Sequence, residues 1–252
     1  MVITSKNNPL IKETVSLKEK KGRKEHRSFL VEGHKMAMES LNSPLQTARI
    51  FMTPAYADEY GALFPVELCV TVSEDVMRHL CDEKTPQGVV CRVAIPQTEK
   101  VRPTDNCLIL DGVADPGNMG AIIRTANAAG YDALYLTKDC TDPFSPKSVR
   151  ASMSGIFATK IIEVEREELP ILFSGFDVFV ADMVGENAFS VLPNGPFALA
   201  IGNEGRGLST QVRDMATKVV SIPMKGGQES LNASVAAGVL MYLLSKEKFI
   251  TK

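Results

Sequence analysis

The stretch IPMKGGQESLNASVAAGVLMY at residues 222–242 decides how this chain is to be read. A strand exit, a Gly-rich turn and a Ser-Leu-Asn helix start follow one another without a spacer, which offers a bound ligand a ring of backbone N–H and C=O groups. Upstream lie two loops of the same kind, DGVADPGNMGAIIRTANAAG at 111–130 and AIGNEGRGLS at 200–209, each after a short apolar run. Three such loops in one domain point to a cofactor pocket. The apolar runs are CLILDGV (107–113), ALYLT (133–137), TKIIEV (159–164), DVFVADM (177–183), FALAIG (197–202) and VVSIPM (219–224), with helical segments between most of them. Near-continuous Val/Ile/Leu strands bounded by helices predict a parallel sheet covered on both faces. In open sheets of this type ligands sit beyond the carboxyl ends of the strands, where all three loops fall.

Before these runs the pattern differs. Residues 9–95 alternate helix and strand: IKETVSLKEKK, FLVEG, HKMAMESLN, TARIFMT, AYADEYG, ELCVTV, EDVMRHLCD and GVVCRVAI, a smaller α/β layer. PQTEKVRPTDN at 96–106 has two prolines and mixed charge and almost nothing apolar, and reads as the linker. The expected division is 1–98, a linker at 99–106, and 107–252. The net charge of −2 is unevenly spread, with nine Lys/Arg and four Glu in residues 1–35 and an acidic remainder. A basic arm on an acidic body points to a polyanion. The same charges, at helical spacing in VSLKEKKGRKEHR, also suit a solvated amphipathic helix. Five cysteines without a CxxC pair and three scattered histidines argue against a zinc site or a disulfide framework, so no metal is expected. Cys69, Cys91 and Cys107 sit in strand-like runs and read as small buried hydrophobes. The longest nearly apolar run, Ala233–Leu244, is too short to span a bilayer, and no basic-then-apolar leader opens the chain, so a soluble cytoplasmic protein is expected.

The first loop has a strand, glycines, a helix and a later acid, Asp139, as a dinucleotide fingerprint does. Its spacing is GxxxxGxxG, and that of GNEGRG is GxxGxG, so a nicotinamide-dependent oxidoreductase is disfavoured, and no P-loop motif is present. Asn118, after Pro116 and Gly117, is placed as a helix N-cap. Arg124 falls on the face opposite Ile122, Ile123 and Ala126. It reads as an ordinary exposed arginine or as a group that a phosphate approaches. The last helix, expected over 230–248 with Ser230 as its cap, is apolar almost all round. Such a helix needs cover on both sides, and a two-fold partner would supply the second.

In this order the three loops resemble the three motifs of the SpoU family of RNA 2′-O-ribose methyltransferases, within the SPOUT superfamily. Upstream, TSKNNPLIKETVSLKEKKGRKEHRSFLVEGHKMAMESL and TPQGVVCRV resemble the substrate-binding domain of its ribosomal-RNA members, so the resemblance covers nearly the whole chain. It implies an α/β protein with a C-terminal parallel-sheet methyltransferase domain tied in a trefoil knot, preceded by a smaller α/β RNA-binding domain, and acting as a homodimer. It implies S-adenosylmethionine as cofactor, held by Gly202, Ile222 and Leu231 with Met224, Gly226 and Ser230. By the same resemblance Asn118, Arg124, Glu204 and Asn232 serve catalysis and substrate placement. Lys18, Lys20, Lys21, Arg23, Lys24 and Arg27 are the expected RNA contacts, with Glu32 as a further family position that suits a cap or an ion-pair partner equally.

The implied substrate is RNA, with large-subunit ribosomal RNA first. The alternatives are transfer RNA, or a non-catalytic RNA-binding or ribosome-assembly protein that keeps the fold. A sulfonium methyl is already activated, so the protein's task is to align it with the hydroxyl and favour alkoxide character. A guanidinium stays protonated, which suits Arg124 to stabilising the alkoxide or gripping a phosphate. Proton acceptance is left to Glu204, water or a phosphate oxygen.

Overall fold

The computed structural model describes residues 1–226 and 230–250. Gly227 and Gln228, from the GGQ of the third loop, and Glu229 lie outside the described residues. The chain forms two compact units, one of Met1–Gln97 with Asp142–Ala158 and the other of Thr98–Thr141 with Thr159–Lys252.

In the first unit β1 (Ser28–Glu32), β2 (Thr47–Met52), β3 (Cys69–Thr71) and β4 (Val89–Ala94) form a four-stranded sheet in the order β1-β4-β2-β3. The helices are α1 (Pro9–Ser16), α2 (Lys20–His26), α3 (His34–Leu41), α4 (Pro54–Tyr60) and α5 (Glu74–Leu80). IKETVSLKEKK, read as one helical segment, is instead split between α1 and α2. Asn8 caps α1 by accepting from Leu10 N, and the chain turns after Ser16. Gly22 lets α2 fold back on that turn, since a Cβ there would stand 2.1 Å from the Ser16 carbonyl oxygen. Ile11, Leu17, Leu30, Phe51, Val76 and Leu80 are among the fully or nearly fully buried side chains of the core.

Residues 142–158, which lie within 107–252 in the sequence division, group with this first unit. They carry α7 (Pro146–Ser152) and α8 (Gly155–Ala158), and α7 packs on β1. Phe144 meets Phe29 with ring centroids 5.1 Å apart, and Asp142 accepts from the buried Arg23 at 2.7 Å. Long-range burial of this sort leaves no local signal in composition.

The second unit is a six-stranded sheet in the order β10-β8-β9-β5-β6-β7. Its strands are β5 (Cys107–Asp111), β6 (Ala133–Thr137), β7 (Lys160–Val164), β8 (Asp177–Asn187), β9 (Phe197–Gly202) and β10 (Lys218–Ser221), and every pair is parallel. β5, β6 and β9 are buried almost throughout, as their continuous apolar runs require. The helices are α6 (Pro116–Ala128), α9 (Leu169–Leu172), α10 (Thr210–Arg213), α11 (Ala233–Leu244) and α12 (Glu247–Ile250). α11 packs on α6.

β8 and β10 depart furthest from their expected ends. β10 stops at Ser221, and β8 runs past Met183 to Asn187. Their register jumps, because Val219 pairs with Val180 while Val220 pairs with Glu186. Residues 181–185 therefore stand out of the ladder. Gly185 sits at the re-entry, where a Cβ would lie 2.8 Å from the Val219 carbonyl oxygen.

Candidate active site

Beyond the carboxyl ends of β8, β9 and β10 the second unit holds a cavity of about 630 Å³. Ile201, Val220, Ile222 and Leu240 give it an apolar side, and residues 181–183 of β8 and the loop residues 202–208 and 230–233 line the rest. Gly202, Ile222, Met224, Ser230 and Leu231 line it, as do Glu204 and Asn232, whereas Gly226 does not. The loop after β9 closes tightly. Asn203 and Gly207 exchange backbone hydrogen bonds of 3.0 and 2.9 Å, and the Asn203 side chain accepts from Gly205 N and Arg206 N, each at 3.0 Å. A Cβ on Gly202 would stand 2.4 Å from the Gly207 carbonyl carbon, so this turn requires glycine there.

At the rim three of the four expected polar residues form one hydrogen-bonded run. Asn232 Nδ2 donates to Asn118 Oδ1 at 2.9 Å, and Asn118 Nδ2 donates to Glu204 Oε1 at 2.9 Å. Glu204 also accepts from Ala114 N at 3.1 Å and Asp115 N at 3.2 Å. Burial works against its ionisation, but the bonds from Asn118 and from the backbone amides outweigh it and hold the carboxyl below its usual range. Each Asn amide is thus oriented by its partner, and each keeps a second N–H for a ligand.

Two cap assignments change. Asp115, not Asn118, is the N-cap of α6, accepting from Asn118 N, so Asn118 is released to point its side chain at Glu204. Asn232, not Ser230, caps α11 by accepting from Ser234 N at 2.9 Å and Val235 N at 3.3 Å, and the helix begins at Ala233 rather than 230. A polar side chain near a helix start does not announce which residue is cap, because the backbone turn decides it.

Arg124 is not part of this run. It emerges about 120° around the helix from Asn118, is exposed, and has no hydrogen bond or ion pair among the described residues. Several supporting residues had no distinguishing sequence signal. Asp111, 1% exposed, accepts from Ser209 N at 2.6 Å and Arg166 Nε at 2.7 Å. Arg166 also donates to Asp139 at 2.6 Å, which makes that acid an ion-pair partner instead of a ribose ligand. Arg213 is engaged by Asp182 and by the Leu208 carbonyl at 3.2 Å.

In the first unit the expected RNA contacts separate. Arg23 must be corrected: it is 3% exposed, its guanidinium spent on Asp142 and on the carbonyls of Leu17 and Lys18 at 2.8 and 2.7 Å. It holds the α1 to α2 turn and has no donor face to offer a phosphate. Lys18 is partly spent in the same way, donating to the His79 and Cys81 carbonyls at 2.8 and 2.5 Å. Lys20, Lys21, Lys24 and Arg27 are exposed. Lys20, Lys24 and Arg27 share a face by their spacing, Arg27 closing α2 in the left-handed region at φ 46°. Glu32 accepts from Asp82 N at 2.8 Å and Glu83 N at 3.1 Å, so it caps a loop. Cys91 and Cys107 are buried free thiols, and burial pushes Cys91 up to about 12, while Cys69 on the edge strand β3 is only half-buried.

Residues 105–242, which hold all three loops, match the SpoU rRNA methylase family. The chain belongs to that family. Residues 8–91 match the MRM3-like substrate binding domain. Among similar SpoU-type proteins, the 23S rRNA (guanosine(2553)-2′-O)-methyltransferase RlmP of Bacillus subtilis is 32% identical over 96% of this chain and 98% of its own length. The 23S rRNA (guanosine-2′-O-)-methyltransferase RlmB of Haemophilus ducreyi is 30% identical over 82% and 92%. The AdoMet-bound rRNA methyltransferase of Sinorhizobium meliloti superposes with a TM-score of 0.89 at 29% identity, covering 100% of this chain and 99% of that one.

Proposed function

We propose that this SpoU protein transfers a methyl group from S-adenosylmethionine to a ribose 2′-hydroxyl of large-subunit ribosomal RNA, as a cytoplasmic homodimer with a knotted C-terminal domain. The observation that carries the reading is the Asn232–Asn118–Glu204 run, whose two ends line a cavity beyond the carboxyl ends of the strands. About 630 Å³ lies within the range of small-molecule and cofactor pockets. The mix of apolar side chains such as Ile201, Ile222 and Leu240 with polar ones such as Asn203, Ser230 and Asn232 suits an adenosine with an amino-acid tail. Gly202, Ile222, Met224, Ser230 and Leu231 would hold it, and when bound it supplies an electrophilic methyl group.

The chain's own groups then have distinct tasks. Asn118 and Asn232 each keep an amide N–H that the run does not use, available to donate to a substrate oxygen that gains negative character as it attacks the methyl group. Glu204 stays ionised, with both oxygens engaged, so it orients Asn118 instead of taking the proton. Water or an RNA phosphate oxygen is left as acceptor. Arg124, uncommitted and exposed, is available to grip a phosphate or stabilise the alkoxide. Lys20, Lys21, Lys24 and Arg27 supply the polyanion-binding face of the first unit.

Incubation with unmodified ribosomal and transfer RNA and labelled S-adenosylmethionine tests this directly. Label should enter 23S RNA as an alkali-resistant linkage, and Arg124→Ala should lower the rate by about 10²-fold or more. Cofactor binding without transfer to RNA or to precursor particles would instead support the non-catalytic alternative.

A further inference from the structure

The loop at 203–209 carries Glu204 and walls the cavity, and it is fastened at both ends to the segment that follows β5. At its start Asn203 Nδ2 donates to the Gly112 carbonyl at 2.7 Å, and Glu204 accepts from Ala114 N and Asp115 N. At its end Ser209 N donates to Asp111 Oδ2 at 2.6 Å, while the Ser209 hydroxyl caps α10 by accepting from Val212 N at 3.4 Å. Residues 205–208 hang between these anchors and face the cavity. The second anchor is a buried carboxylate, and a buried charge is costly unless paired.

What pairs it is Arg166, a residue outside all three motif stretches. It sits in the 3-10 turn Arg166–Glu168 after β7, whose backbone is pinned by a capping box between Glu165 and Glu168. Its Nε reaches Asp111 Oδ1 at 2.7 Å and its Nη2 reaches Asp139 Oδ2 at 2.6 Å. Asp139 in turn accepts from Thr137 Oγ1 at 2.7 Å, the same hydroxyl that accepts from Gly112 N at 2.9 Å. One guanidinium fork therefore joins the ends of β5, β6 and β7 to the cofactor-side loop. Without it the buried Asp111 carboxylate loses its paired cation, and the acceptor that fixes Ser209 N is no longer held in place.

We infer that Arg166 is a positioning residue for the methyl-transfer site, its fork on Asp111 and Asp139 setting the 203–209 loop in the shape that binds S-adenosylmethionine. The inference rests on the function proposed above. It goes beyond a contribution to folding, because it places the effect on cofactor affinity and not on RNA affinity.

Titration calorimetry with S-adenosylmethionine, and filter binding with 23S RNA fragments, separate the two. Arg166→Gln should raise the cofactor Kd about tenfold while leaving RNA affinity within about twofold. Arg166→Lys, which keeps charge but loses the fork, should stay weakened by at least about fivefold. A cofactor Kd within about twofold of wild type in folded Arg166→Gln, or full recovery in Arg166→Lys, overturns the inference. Should Arg166→Gln not fold, Asp139→Asn decides, on a side chain 38% exposed: about a threefold rise supports the inference and no change overturns it. A wild-type protein that binds no S-adenosylmethionine would refute the proposed function itself, a result distinct from these.

Discussion

In the proposed mechanism Glu204 orients its neighbours and leaves the proton chemistry to other groups. Three N–H groups converge on its carboxylate and keep it ionised, so its contribution follows pH with a definite sign. Its folded pKa lies below the ordinary glutamate value of 4.5. The stabilisation it gives is present above that value and is lost as pH falls through the lower folded pKa. Glu204→Gln should therefore lower the thermal midpoint at neutral pH, and the gap to wild type should close in acid. Melting curves from pH 7 to about pH 3 check this, and a gap that persists unchanged at the acid end would show that ionisation is not what the loop amides recognise. Motif resemblance marks the position, but the division of labour between Glu204 and Asn118 depends on which amides reach which oxygen.

At the scale of elements α2 carries two kinds of cation in seven residues. Arg23 faces inward and anchors the turn and residues 142–158, while Lys24, its neighbour in sequence, faces solvent. Arg23→Ala should destabilise the protein by about 3 kcal/mol, because it leaves a cavity, takes the cation from the partly buried Asp142 and strips the Leu17 and Lys18 carbonyls of their donor. Lys24→Ala should leave the melting temperature unchanged and reduce the salt slope of RNA binding by about 1. Denaturant unfolding and RNA titration over a salt series measure the pair, and an Arg23→Ala protein of unaltered stability would refute the assignment. The helix's charge run was legible in the sequence, while the side on which each charge lies was not. Helical phase locates a face only once something defines the inside, and here the definition comes from Asp142, over a hundred residues away. The register jump between β8 and β10 was equally hidden, since the apolar run DVFVADM continues through residues that leave the ladder.

For the whole molecule the proposed homodimer rests on α11. Its inner side is buried at Ala237, Leu240, Met241 and Leu244, while Val235 and Tyr242 remain 52% and 43% exposed, and Tyr242 stacks on Phe249 with centroids 5.2 Å apart. Exposed apolar side chains grouped on one helix are an unfavourable surface for an isolated chain. Sedimentation should show a dimer, and Val235→Glu with Tyr242→Glu should convert it to a monomer without loss of secondary structure. A wild-type monomer at micromolar concentration would end the proposal.

The sequence by itself determined the fold class, the parallel strands of the second unit, the three loops that follow β5, β9 and β10, and the family, because these depend on local periodicity, strand composition and contiguous motifs. Only the tertiary structure decided which residues cap α6 and α11, that Arg23 is an internal strut, that Arg166 ties Asp111 to Asp139, and where β8 leaves its ladder. The caps are set by the local turn of the backbone, and the others are pairings between groups distant in sequence, fixed by burial and hydrogen-bond geometry, so a linear pattern carries no record of which group will meet which.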